Sequence, residues 1–89
     1  MQVSFSEDAI SDLHDIRAYI GQENPFAASR VAVQLIAACD SLEHMAERGR
    51  PGLVPGTREI TTVWPYIIIY RIKADEVEVL RIWHGARDR

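Results

Sequence analysis

Between Arg48 and Gly56 the chain reads Arg-Gly-Arg-Pro-Gly-Leu-Val-Pro-Gly, three glycines and two prolines in nine residues. Proline removes a backbone donor and glycine has no conformational bias, so regular structure must stop there. The loop divides the sequence into parts with different apolar periods. Before it, apolar residues recur every three or four positions, as on a helix face; beyond it, β-branched and aromatic residues dominate, as in strands. No part is polar or repetitive enough to be a linker or a low-complexity tract. The 89 residues therefore read as one domain, residues 1–89, with a thin core.

Within the first part, Met1 to Phe5 alternates, with Val3 and Phe5 pointing one way, which predicts a short strand. Ser6 offers an N-cap hydroxyl, and Glu7 and Asp8 put carboxylates in the first turn of a helix, where the dipole favours them. Ile10, Leu13, Ile16 and Ile20 form one apolar stripe, with Asp8, Asp12 and Asp15 on the solvent side. Gly21 weakens the helix end. Asn24 followed by Pro25 opens a second helix, whose stripe runs Ala28, Val31, Leu35, Ala38, Leu42 and Met45. So short a connection predicts an αα-hairpin.

Beyond the loop, strands are expected at 57–63, 66–73 and 77–83, with Ala74-Asp75-Glu76 as a tight connection between the last two. The order β-α-α-β-β-β predicts an α+β fold: an antiparallel-rich sheet, the helical hairpin on one face, and the other face left for a partner. Strand alternation places Val77, Val79, Arg81 and Trp83 in one row and Glu78, Leu80, Ile82 and His84 in the other, so Arg81 and His84 should face opposite ways unless a bulge intervenes.

Net charge is −3, which argues against a surface built throughout to hold nucleic-acid phosphates. The sign is unevenly distributed. Residues 1–47 carry Arg17 and Arg30 against eight acids, whereas residues 48–89 carry eight cations against five acids. The longest apolar run, Ile67 to Ile69 with flanking tyrosines, is far too short for a membrane span, and the polar N-terminus does not read as a signal peptide, so a cytoplasmic location is expected. Cys39, the single cysteine, falls in an apolar helical stretch and is expected to be buried and inert. His14, His44 and His84 are scattered, no Cys-x-x-Cys or His-x-x-x-His occurs, and the glycines lack phosphate-loop spacing, so neither a metal nor a cofactor is expected. The serines lie in caps or helices with no base nearby in the pattern, which disfavours nucleophilic catalysis. Residue pattern alone reaches a small α+β binding domain.

Several segments nevertheless have a familiar order. These are Phe-Ser-Glu-Asp-Ala-Ile-x-Asp-Leu-x-x-Ile at 5–16, Asn-Pro-x-Ala-Ala at 24–28, Gly-Arg-Pro-Gly at 49–52, Gly-Thr-Arg-Glu at 56–59, Pro-Tyr-Ile-Ile-Ile-Tyr-Arg-Ile at 65–72, and Val-Leu-Arg-Ile-Trp-His-Gly-Ala-Arg-Asp at 79–88. Together they resemble the RelE/ParE toxins of type II toxin-antitoxin systems, over essentially the whole chain. The resemblance implies a β-α-α-β-β-β fold and a cognate, ParD-like antitoxin that wraps the toxin in a hetero-oligomer. Some members of this family cleave messenger RNA on the ribosome, while ParE-type members poison DNA gyrase. The nucleases are usually very basic and commonly place an arginine after the first tyrosine of Tyr-Arg-Leu-Val-Tyr, where it stabilises phosphate charge. Here that position is Ile67, in Tyr66-Ile-Ile-Ile-Tyr70.

The expectation is therefore a ParE-type, plasmid-stabilization toxin that is not an enzyme, inhibits growth by binding DNA gyrase, and has no sequence-specific nucleic-acid binding of its own. Arg81, His84 and Arg87 are its expected target-binding residues. Leu13, Ile20, Trp64 and Trp83 are its expected antitoxin contacts. One alternative is a ribosome-dependent mRNA endonuclease using Arg58, Arg81 and Arg87 for phosphate charge and Glu59 or His84 for proton transfer, and another is a decayed toxin that only binds its antitoxin.

Overall fold

The computed structural model describes residues 1–86. Strand β1 (Gln2–Phe5) leads into helix α1 (Glu7–Gly21), which is followed by α2 (Pro25–Asp40). Two short 3₁₀ turns, Ser41–Glu43 and Ala46–Arg48, precede β2 (Arg50–Pro51), β3 (Arg58–Ile60), β4 (Tyr66–Ile72) and β5 (Glu76–His84). The expected order is present with two corrections: β3 covers only 58–60 of the expected 57–63, and the two-residue β2 pairs at the sheet edge from within the 48–56 segment expected to hold no regular structure. Both helix starts follow the sequence signals: Ser6 accepts from the Ala9 N–H and Asn24 from the Ala27 N–H, with Pro25 in the first turn.

The strands form one sheet in the order β1-β5-β4-β3-β2. β1 lies parallel to β5, and the other neighbours are antiparallel. The central β4–β5 ladder carries a register shift: Ile69 pairs with Arg81, but Tyr70 pairs with Val79, which leaves Leu80 as the extra residue. This corrects the simple alternation expected for the last strand. Val77, Val79, Ile82 and His84 share the side facing the helices, instead of Val77 and Val79 sharing a row with Arg81 and Trp83. Arg81 and His84 still face opposite ways.

The core lies between this side of the sheet and the helical hairpin. Ala9, Ile16, Leu35, Cys39 and Leu42 meet Ile60, Ile68, Tyr70, Val77, Val79 and Ile82, all buried. Leu13, Ile20 and Val31 pack at its margin. Two stripe residues depart from expectation: Ile10 and Met45 are exposed, because Ala9 takes the inward position in the first turn of α1 and the helical rotation ends before Met45.

Tyr70 joins the core to the loop that follows α2. Its hydroxyl donates to the Ala46 carbonyl at 2.6 Å and accepts from the Gly49 N–H at 2.9 Å. Burial raises the phenol above its ordinary pKa, partly offset by the Gly49 hydrogen bond. Gly49 is required here by space: a Cβ would lie 2.5 Å from the Tyr70 hydroxyl and 2.9 Å from the Glu59 carbonyl. Removing only the hydroxyl, in Tyr70→Phe, leaves two backbone groups short of a partner and should cost about 1–3 kcal/mol, measurable as a lower denaturation midpoint with an unchanged m-value.

Cys39 is fully buried as expected, and burial pushes its thiol up to about 12. In the folded protein the neutral thiol should resist iodoacetamide at pH 8, and it should label fully in guanidinium. The raised pKa also fixes the sign of a pH effect. The stabilisation is fully present below the ordinary thiol value of 9.0 and is lost as pH rises from there towards 12.

Candidate functional site

The candidate residues occupy both sides of the sheet. Arg58 pairs in register with Tyr70 and so lies on the helix-facing side. Its guanidinium donates to the carbonyls of Gly49, at 2.9 Å, and Glu47, at 3.3 Å, clamping the same loop that Tyr70 holds. His84 is also on the helix-facing side, opposite Tyr66, whose ring it meets edge-on at 5.6 Å between centroids. Its Nδ1 accepts from the Ala86 N–H at 3.2 Å.

Glu59 and Arg81 lie on the outer side, flanking Ile69 in register from β3 and β5. Glu59 is 4% exposed and ion-paired with Arg50 at 3.4 Å. Arg81 reaches across the β5 edge to α1, where the Asp12 carboxylate takes its Nε at 2.8 Å and a terminal nitrogen at 3.0 Å. The same carboxylate accepts from the Ile82 backbone N–H at 2.9 Å. The Arg81 guanidinium also stands 5.4 Å from the centre of the Trp83 ring, within cation–π range. Further along this side Arg71 pairs with Glu78 at 2.8 Å and Lys73 with Glu76 at 3.4 Å. The Arg71 hydrogen bond, helped by Lys73, holds the Glu78 carboxyl below the usual carboxylate range.

The nuclease candidates are thus not brought together. Arg58 and His84 point one way, Glu59 and Arg81 the other, and Arg87 lies outside the described residues. Ile67 lies on the outer side near the start of the central strand β4, buried and opposite Trp83. No group of three or more histidine, cysteine, aspartate or glutamate side chains among the described residues could hold a metal ion, and none of the described helices is long and apolar enough to cross a membrane.

The expected antitoxin contacts also separate. Leu13 and Ile20 belong to the margin of the core, and Trp83 is half-buried beside Ile67, whereas Trp64 is 84% exposed. Sequence periodicity missed the apolar surface that the hairpin turns outward. Ile10 on α1 and Phe26, Val33 and Ile36 on α2 are exposed, Phe26 at 86%. Between the helices runs an open groove lined by His14, Arg17, Gly21, Pro25, Ala28 and Ser29. The spacing of Phe26, Val33 and Ile36 at seven and three was available as a second stripe on α2, but the stronger core stripe obscured it.

Residues 3–89 match the family described as ParE toxin of type II toxin-antitoxin system, parDE. The chain belongs to this family. It is 46% identical over 87 residues to Toxin RelE2 of Caulobacter vibrioides, an alignment covering 97% of both chains. Toxin RelE1 of the same organism is 38% identical over 90 residues, covering 98% of this chain and 96% of the relative. Among solved structures, one titled "Chromosomal ParDE TA system from P. aeruginosa" superposes with a TM-score of 0.87 at 28% identity, covering 94% of this chain and 95% of the other.

Because one carboxylate serves Arg81 and the Ile82 N–H together, Asp12 should be the most sensitive charged position on α1. Asp12→Ala removes both acceptors and should cost about 1–3 kcal/mol. Asp12→Asn retains an acceptor for the backbone and should lie between this variant and the parent in thermal unfolding.

Proposed function

We propose that this chain is the toxin of a type II toxin-antitoxin pair that arrests growth in the cytoplasm by binding DNA gyrase and is neutralised by a cognate, ParD-like antitoxin. The observation that carries the gyrase reading is the dispersal of the nuclease candidates. A phosphodiester cleavage site needs cations and proton-transfer groups converging on one phosphate. Here Arg58 and His84 are on one side of the sheet and Glu59 and Arg81 on the other. Arg81 and Glu59 are also neutralised by Asp12 and Arg50. At Ile67, where the nucleases commonly carry an arginine, the side chain has no donor. The family match and the P. aeruginosa structure support the toxin and its antitoxin partner.

The second reading, an mRNA endonuclease of the RelE type, is favoured by one observation: two relatives aligned over nearly their full length carry RelE names. Purified protein separates the two. The expected result is loss of plasmid supercoiling by gyrase with messenger RNA left intact on translating ribosomes. Cut RNA with normal supercoiling would establish the endonuclease instead.

Leu13 and Ile20 pack against the core, so the antitoxin docks on the exposed residues of the hairpin. Ile10, Val33, Ile36 and Phe26 offer apolar anchors, and nearby acids such as Glu7, Asp8 and Asp15 favour a partner carrying basic residues. A saturating antitoxin tail should raise the melting temperature of the toxin. Val33→Asp, at an exposed site, should leave the free toxin's melting temperature near the parent value and remove most of that rise. An equal rise in parent and variant would exclude the hairpin as the docking site.

A further inference from the structure

We propose that the end of the sheet bearing Trp64 and Trp83 is the surface with which the toxin grips its target, and that the occupant is an apolar pocket on a protein, not a nucleic acid. The proposal rests on the toxin reading above and assigns its target surface to particular side chains.

Trp64 is 84% exposed, so it contributes little to the core. Its loop is nevertheless fixed on both flanks: the Tyr66 N–H donates to the Val63 carbonyl and the Gly85 N–H to the Pro65 carbonyl, each at 2.8 Å. The second bond ties the Trp64 loop to the turn after β5. Gly85 is needed for this approach, since a Cβ there would lie 2.9 Å from the Pro65 oxygen. A large apolar side chain held on an ordered backbone loses little entropy on binding, which is the usual condition of an interface anchor.

Trp83 lies at the same end, opposite Ile67 in the β4–β5 ladder and half-buried. Asp12 holds Arg81 from one side, and Arg81 stands against the Trp83 ring from the other. Arg81 is in this account a positioning residue: it braces an indole and presents no cation of its own to a ligand.

Charge selects the occupant. Aromatic residues stack on nucleobases when nearby cations hold the phosphates. On the outer side of this sheet Arg81 is paired with Asp12, Arg50 with Glu59, Arg71 with Glu78, and Lys73 with Glu76. A phosphate chain would have to break these pairs one after another, whereas an apolar protein pocket needs none of them opened. Among the described residues this side is electrically balanced, and with its protruding indole it suits such a pocket.

The test is Trp64→Ala in the full-length chain, with Trp64→Phe as the conservative partner. Expected are a melting temperature close to the parent's, an intact antitoxin complex, about 10-fold or greater loss of growth arrest on induction and of gyrase inhibition, and partial recovery with phenylalanine. Undiminished growth arrest by Trp64→Ala would overturn the proposal. So would loss of antitoxin binding, which would assign Trp64 to the antitoxin, or Trp64-dependent binding of a single-stranded DNA or RNA oligonucleotide by the parent. If the parent arrests growth without touching gyrase, the gyrase reading fails, and the effect of Trp64→Ala on growth arrest still decides whether this surface is used.

Discussion

The short reach of β1 organises the rest of the molecule. β1 pairs with β5 only from Gln2 to Phe5, while β5 continues to His84, so the far half of a central strand would otherwise present bare backbone groups at an edge. The first residues of the helical layer cover that edge. The Ser6 N–H donates to the Val79 carbonyl, its hydroxyl to the Leu80 carbonyl, and Asp12 accepts from the Ile82 N–H. Helix α1 is thereby fixed along β5 by hydrogen bonds as well as by Ala9 and Ile16 in the core. The register shift at Leu80 falls where these bonds begin, and it turns Ile82 towards the helices after Val79.

Much of this architecture was legible in the residues. Ser6, Asn24 and Pro25 are local signals, read correctly because capping depends on a few neighbouring atoms. The β-branched runs marked β4 and β5 for the same reason, whereas β3 is shorter than its run and β2 lies inside the Gly-Pro loop, because both depend on pairing across strands. The bulge was not legible, since it depends on the pairing of two strands and on the edge that Asp12 and Ser6 complete. Ile10 was misjudged because adjacent Ala9 and Ile10 both fit the helical period, and only packing decides which of them points inward.

The candidate site was less accessible. Sequence order supplied Arg58, Glu59, Arg81 and His84 as a plausible set, because all four lie in or beside strands, but strand parity cannot say which cation already has a carboxylate. The partner of Arg81 lies sixty-nine residues earlier, on a helix. In the sequence Asp12 falls on the solvent side of the α1 stripe, and nothing local marks it otherwise. Trp64 could be singled out as an aromatic residue, but whether it closed the core or stood in solvent depended on how its loop meets the turn at Gly85.

The outward residues of the hairpin and the tryptophan-bearing end of the sheet belong to different elements, and neither set is needed to fill the core. Phe26 and Val33 on one side, and Trp64 on the other, stand mostly in solvent. Exchanges at such positions usually change folding stability by no more than about 0.5 kcal/mol. A lineage of such chains could therefore drift in one surface while holding the other constant, acquiring new recognition on an unchanged scaffold, with Asp12, Tyr70 and Gly49 as the fixed points about which that variation is free to run.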